Sequence, residues 1–113
     1  MRTFKDTKGR EWEVDITATV VDRFERLTDE SFFEHAFKGR FKTYLAWRLV
    51  YCAVKKQAEE RELETYLEWI EDIGKSTIGD LTKVAFDEIG EFFPADDPES
   101  EGKPKGGPSP KKK

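Results

Sequence analysis

Cysteine and histidine each occur once, as Cys52 and His35. A single cysteine excludes an internal disulfide and fits a reducing compartment. Together the two fall short of the four nitrogen and sulfur ligands of a structural zinc site. The glycines form no GxGxxG, GxxxxGK[ST] or GxSxG pattern, so the common dinucleotide, phosphate and hydrolase signatures are missing. Asp96, Asp97, Glu99 and Glu101 lie among prolines without the spacing of a calcium loop. No apolar run approaches the roughly 20 residues that span a bilayer. Met1 leads straight into a polar stretch, so neither a secretory leader nor a membrane anchor is expected. The net charge is −4, which argues against a protein built to coat nucleic acid. These absences leave a soluble cytoplasmic protein with no cofactor and no catalytic constellation.

What is present centres on Phe41 to Ala58, FKTYLAWRLVYCAVKKQA, which contains neither Gly nor Pro. Between Tyr44 and Val54 only Arg48 is plainly polar. Phe41, Leu45, Leu49, Cys52 and Lys56 share one helical stripe; Tyr44, Trp47, Tyr51 and Val54 share another. A helix apolar on most of its circumference is buried on most of it. The pattern predicts a central helix from about Arg40 to Glu60, covered on two sides by the rest of the chain or by another copy. Charged residues make up 39% of the 113 and apolar ones 36%, so the core must be compact and rich in aromatic rings.

Before this helix, Trp12, Val14 and Ile16 alternate with polar residues, and Phe4 precedes the turn sequence Asp6-Thr7-Lys8-Gly9. That is the pattern of a β-hairpin. A lone hairpin is marginal in water, so it must lie on a helix or pair with another edge. Residues 17–28 change to helical spacing, with Thr17 or Thr19 as cap and Val20, Phe24 and Leu27 as the stripe. A short helix follows Asp29 or Ser31, with Phe32, Phe33, Ala36 and Phe37 as its apolar face and Gly39 at its end. An acidic helix is expected from about Glu62 to Ile73, with Leu63, Tyr66, Leu67 and Ile70 on its face, extended by Trp69 and Ile73. A last helix runs from Ser76 or Thr77 to Phe92. Residues 95–113 are Pro-, Gly- and Lys-rich and without large apolar side chains, a composition expected to stay disordered. The fold class is therefore α+β: one domain over 1–94 with an N-terminal hairpin and four or five helices, then a tail.

The candidate sites each have an ordinary alternative. Lys38, Arg40, Lys42, Arg48, Lys55 and Lys56 form an acid-free basic run, followed by seven acids between Glu59 and Asp72. This is a phosphate-binding surface, or it is two helices that complement each other. His35 has only Glu34 beside it, and sequence neighbours on a helix do not face each other. Cys52 reads as a small buried hydrophobe. Arg48 either meets Glu64, Glu68 or Glu71 or extends to solvent. Trp47 reads as core, whereas Trp12 and Trp69 are open between core and ligand surface. The pairs Phe32–Phe33 and Phe92–Phe93 cannot both face inward. Either the core is overfilled, or an aromatic patch is exposed for a partner.

The order of these parts resembles the small tail assembly chaperones of siphophage-type phages and prophages. The resemblance rests on Phe4, Gly9, Arg10, Trp12, Val14 and Ile16 of the hairpin, on Leu27-Thr28, on LVYCAVKKQAEERELE from Leu49 to Glu64, and on the Glu91-Phe92-Phe93-Pro94 ending. It covers about residues 4–94. It implies a non-enzymatic protein of the host cytoplasm that binds the tape measure protein during tail assembly and is absent from the finished particle. A long client would favour many copies bound side by side as a homo-oligomer. The family has no catalytic signature. Phe32, Phe33, Phe37, Trp69, Phe92 and Phe93 are the residues expected to meet the client. The rival readings are a small nucleic-acid-associated or regulatory protein using residues 38–56, and a structural head–tail or tail component.

Overall fold

A computed structural model of the chain describes residues 1–39 and 41–93. The tail expected to be disordered, 95–113, and the helix-ending Pro94 lie outside the described residues. Strands β1 (Arg2–Lys5) and β2 (Glu11–Val14) pair antiparallel, with Thr3 opposite Glu13 and Phe4 opposite Trp12. Alternation turns Phe4, Trp12 and Val14 inward and leaves Thr3, Lys5, Glu11 and Glu13 exposed. Two strands of four residues do not hold themselves together. The hairpin lies on helices instead: β2 packs against α3 (Thr43–Glu60) and β1 against α5 (Ile78–Gly90).

The other helices are α1 (Ala18–Thr28), α2 (Phe32–Phe37) and α4 (Tyr66–Asp72), with a 3-10 turn at Lys75–Thr77 leading into α5. Thr17 caps α1 by accepting from the Val20 amide, and Ser31 caps α2 by accepting from Glu34. The Glu25 carboxylate also accepts from the Phe32 amide at 2.8 Å, which ties α2 back onto α1. The acidic helix begins later than its composition suggests. Glu62 takes φ 65°, and Thr65 then forms a reciprocal capping box with Glu68. The capping geometry, rather than the run of good helix formers, sets the start.

Helix α3 is central as expected, with contacts to α1, α4, α5 and β2. Leu45, Ala46, Leu49, Val50, Tyr51, Cys52, Val54 and Ala58 are all buried on it. Three expectations about faces are corrected. Leu27, placed on the α1 stripe, is 62% exposed, because α3 covers Val20, Val21 and Phe24 and leaves the last turn uncovered. Leu67 is 67% exposed, because α4 turns Trp69 and Ile73 fully inward instead. Tyr44, at the start of α3, is exposed rather than part of its buried circumference.

Two buried carboxylates fasten the hairpin to the helices. Asp6 accepts from the amides of Lys8 (2.8 Å) and Arg10 (3.0 Å), from Arg10 Nε (2.6 Å) and from the Trp12 indole (2.9 Å). Burial pushes its carboxyl up, but these four donors together more than offset that and hold it below the usual carboxylate range. Arg10 reaches on to Asp72 at the end of α4, and Lys8 pairs with the same carboxylate at 2.7 Å. Next to this network the Ile73 carbonyl accepts from the Thr7 amide (3.1 Å), the Thr7 hydroxyl (3.0 Å) and the Thr77 hydroxyl (2.7 Å). A helix-end carbonyl left without an intrahelical partner is thereby satisfied. Gly74 follows at φ 89°, and a Cβ there would collide with the Thr7 side chain. At the other end of the hairpin, Glu88 is 2% exposed within α5. It accepts from the Ile16 amide at 2.9 Å and from Arg2, which also pairs with Glu91.

Candidate protein-binding surface

Seven of the nine phenylalanines form a continuous stack from the core to the surface. Phe24 meets Phe41 (6.0 Å between centroids), Phe41 meets Phe32 (5.6 Å), and Phe32 meets both Phe33 and Phe92 (5.0 Å each). Beyond these, Phe33 meets Phe37 (5.9 Å) and Phe93 (5.8 Å), and Phe37 meets Phe93 at 5.1 Å. Several pairs are edge-to-face, the geometry favoured by ring quadrupoles. The inner rings are buried, whereas Phe33 is 42% and Phe37 74% exposed. Phe92 and Phe93 are half-buried between them. The outer cluster is therefore built by two short segments, α2 and the turn after α5, that are 55 residues apart in sequence, from Phe37 to Phe92.

The structure divides the six expected contact residues. Phe33, Phe37, Phe92 and Phe93 come together. Phe32 lies beneath them with no exposed surface and serves as the floor of the cluster. Trp69 does not join it: it is fully buried against Trp12 (6.2 Å), Tyr51 (5.5 Å) and Tyr66 (6.2 Å). Neither Phe32 nor Trp69 offers surface to a partner. The open question about Trp12 resolves the same way: it is at 0% exposure with its indole on Asp6. Trp47 is half-buried and donates to the Thr82 hydroxyl at 2.9 Å, which joins α3 to α5.

The second aromatic group, Trp12, Trp69, Tyr51 and Tyr66, is roofed by guanidinium groups. Arg61 lies 4.3 Å and Arg10 5.6 Å from the Trp12 ring, and Arg48 lies 4.4 Å from Tyr66. The choice posed for Arg48 is thus settled by a third partner, since among the described residues it makes no ion pair with Glu64, Glu68 or Glu71.

Three cations of the basic run already have partners. Lys38 pairs with Glu34 and Lys55 with Glu59, while Arg48 is committed to Tyr66. Nor do the basic and acidic helices complement each other through ion pairs among the described residues: Asp72 of α4 pairs with the hairpin turn. A depression of about 270 Å³ beside Leu27 and Tyr44 and another of about 260 Å³ beside Tyr51 and Tyr66 adjoin this region. Cys52 is buried, and burial pushes its thiol up to about 11, which suits a hydrophobe and not a nucleophile. His35 Nε2 lies 2.7 Å from Glu30, a partner from the preceding loop that the sequence neighbour Glu34 did not suggest. No described group of three or more His, Cys, Asp or Glu is placed to hold a metal ion. No described helix is long and apolar enough to cross a membrane.

Sequence reasoning missed the two buried carboxylates. Glu88 left a signal, an acid set between Ala85 and Ile89 within the apolar set of α5. Asp6 left a weaker one, because it reads as an ordinary turn residue. Compared with known proteins, the chain matches no protein-family model, no curated protein and no solved structure.

Proposed function

We propose that this protein is a non-enzymatic binding module that takes the apolar face of a client helix on Phe33, Phe37, Phe92 and Phe93. The observation that carries the reading is the outward end of the phenylalanine stack, where Phe37 is 74% exposed in contact with other rings rather than alone. Isolated exposed apolar side chains are ordinary on a protein surface, but a contiguous aromatic patch marks an interaction site. A rigid floor of buried rings beneath it lowers the cost of ordering the surface on binding. Amphipathic helices bind such patches through side chains repeating every three to four residues. The acidic, highly charged remainder of the surface keeps a complex with an apolar client in solution.

The resemblance to tail assembly chaperones supports a specific client: the tape measure protein, bound in the host cytoplasm during tail morphogenesis. The pairing of Lys38 and Lys55 with acids on their own helices gives the nucleic-acid reading less support. The test is co-purification of the tagged protein, after nuclease treatment, from cells expressing its native gene cluster. Recovery of a long helical client by the wild type, and its loss with Phe33→Asp or Phe92→Asp in a protein of unchanged circular dichroism, is expected. Client binding that survives both substitutions would overturn the reading.

A further inference from the structure

The two edges of the hairpin are treated differently. On β2, the Gln57 side chain donates to the Glu13 carbonyl (2.8 Å) and accepts from the Glu13 amide (3.0 Å), and Arg61 donates to the Glu11 carbonyl (3.2 Å). Side chains of α3 and its cap therefore occupy that edge as a neighbouring strand would. Since Glu13 turns its amide and carbonyl away from β1, its ladder partner Thr3 turns its own away from β2. The same holds for Lys5, opposite Glu11. Among the described residues nothing bonds to the Thr3 or Lys5 backbone on this outer edge. The edge runs beside a depression of about 470 Å³ between β1 and α5, lined by Phe4 and Val84 with Asp80, Lys83 and Asp87. An unpaired strand edge is a template for another strand.

We propose that β1 pairs antiparallel with β1 of a second copy about a two-fold axis at Thr3, joining the two hairpins into one four-stranded sheet. The register follows from the residues. Centred on Thr3, the pairing uses the whole strand, exchanges both Thr3 hydrogen bonds, and sets each Lys5 opposite Met1. Centred on Lys5 it would set like charges face to face, which destabilises a pair. The rim favours a copy of itself over a strongly charged peptide. Arg2, Lys5 and Lys83 are balanced by Asp80, Asp87 and Glu91, so a partner of one sign gains little, whereas two such rims meet without net repulsion. The interface uses neither Phe33 nor Phe37, so each copy in the pair keeps its aromatic cluster for a client.

Two measurements on the full chain test this. Sedimentation over a wide concentration range should show a monomer–dimer equilibrium for the wild type. Thr3→Pro removes the outward amide of an edge strand without touching the ladder to β2, and should shift the protein to monomer with its circular dichroism unchanged. Thr3→Cys should form a disulfide-linked dimer on mild oxidation, since Cα atoms of a hydrogen-bonded antiparallel pair lie about 5.5 Å apart, within disulfide range. Buried Cys52 does not compete. Glu13→Cys, on the edge closed by Gln57, should cross-link far more slowly. A wild type that is monomeric throughout, or Thr3→Cys cross-linking no faster than Glu13→Cys, would overturn the proposal. So would association that survives Thr3→Pro but is lost with Phe33→Asp, which would move the self-contact to the aromatic cluster.

Discussion

The molecule has two aromatic clusters, and they are finished differently. The tryptophan–tyrosine cluster under the hairpin is closed at its centre: Trp12 and Trp69 have no exposure, three arginines lie over its rings, and Asp6 accepts a hydrogen bond from the Trp12 indole. The phenylalanine cluster begins in the same core at Phe24 and ends uncovered at Phe37. Both consist of rings at similar spacing. What differs is the polar framework around them, dense at the hairpin turn and sparse at the α2 end. The first cluster holds the fold; the second is free to do something else.

Substitution should separate them most sharply at the centre of the closed cluster. Trp12→Ala should lose about 4 kcal/mol and lower the thermal midpoint by roughly 20 °C, measured by circular dichroism. Asp6→Asn should cost about 3 kcal/mol, because Arg10 loses one of its two anionic partners and the donors around the site are left incompletely matched. Its effect should depend on pH. The folded-state value of Asp6 is lowered, so its stabilisation is present above the ordinary carboxylate value of about 4 and is lost as pH falls through the lower folded value. Asp72 shifts the same way, through hydrogen bonds from Lys8 and Arg10. The wild type should therefore lose thermal stability as pH falls below about 4, and Asp6→Asn should lose less over that interval. Equal slopes would show that the turn network does not control acid stability.

Two glycines probe the same contrast. Gly74→Ala, at φ 89° against Thr7, should cost about 2 kcal/mol or more. Gly39→Ala, at φ 64° beside the open cluster with free space around it, should cost only about 1 kcal/mol from backbone strain. The smallest effect on stability belongs to Phe37→Ser, within about 0.5 kcal/mol. If Phe37→Ser destabilises as much as a core substitution, the open cluster is structural after all.

Much of this architecture is legible in the residues. The alternation of Trp12, Val14 and Ile16 fixes the inward face of the hairpin, and the Gly- and Pro-free run through Leu45, Leu49 and Val54 fixes the central helix. The caps are narrowed to Thr17 or Thr19 and to Asp29 or Ser31, of which the structure uses Thr17 and Ser31. The errors lie where periodicity leaves a helix face ambiguous. Leu67 and Trp69 are both apolar and both near the stripe of α4, and only the position of Trp12 decides which turns in. The aromatic site is legible as a problem, since adjacent phenylalanines cannot share one direction, but not as a place. That α2 meets the end of α5 depends on contacts between segments far apart in sequence. Glu88 and Asp6 leave only faint signals for the same reason, because a buried carboxylate is recognised by its donors, and those of Glu88 come from Arg2 and Ile16.

Glu88 also constrains the order in which the chain can be completed. The hairpin precedes α1 to α5 in the chain, yet Thr7 bonds to Ile73, and Arg2 and Ile16 bond to Glu88. Until those distant residues are available, the hairpin lacks its bonds to the end of α4 and to α5, and contacts of such long sequence separation form slowly. During synthesis Trp12 would lack Trp69 until α4 has emerged, and β1 would lack α5 until nearly the whole described domain has. The hairpin is thus made before the helices that secure it, and the nascent chain carries an exposed aromatic surface until Trp69 of α4 packs on Trp12.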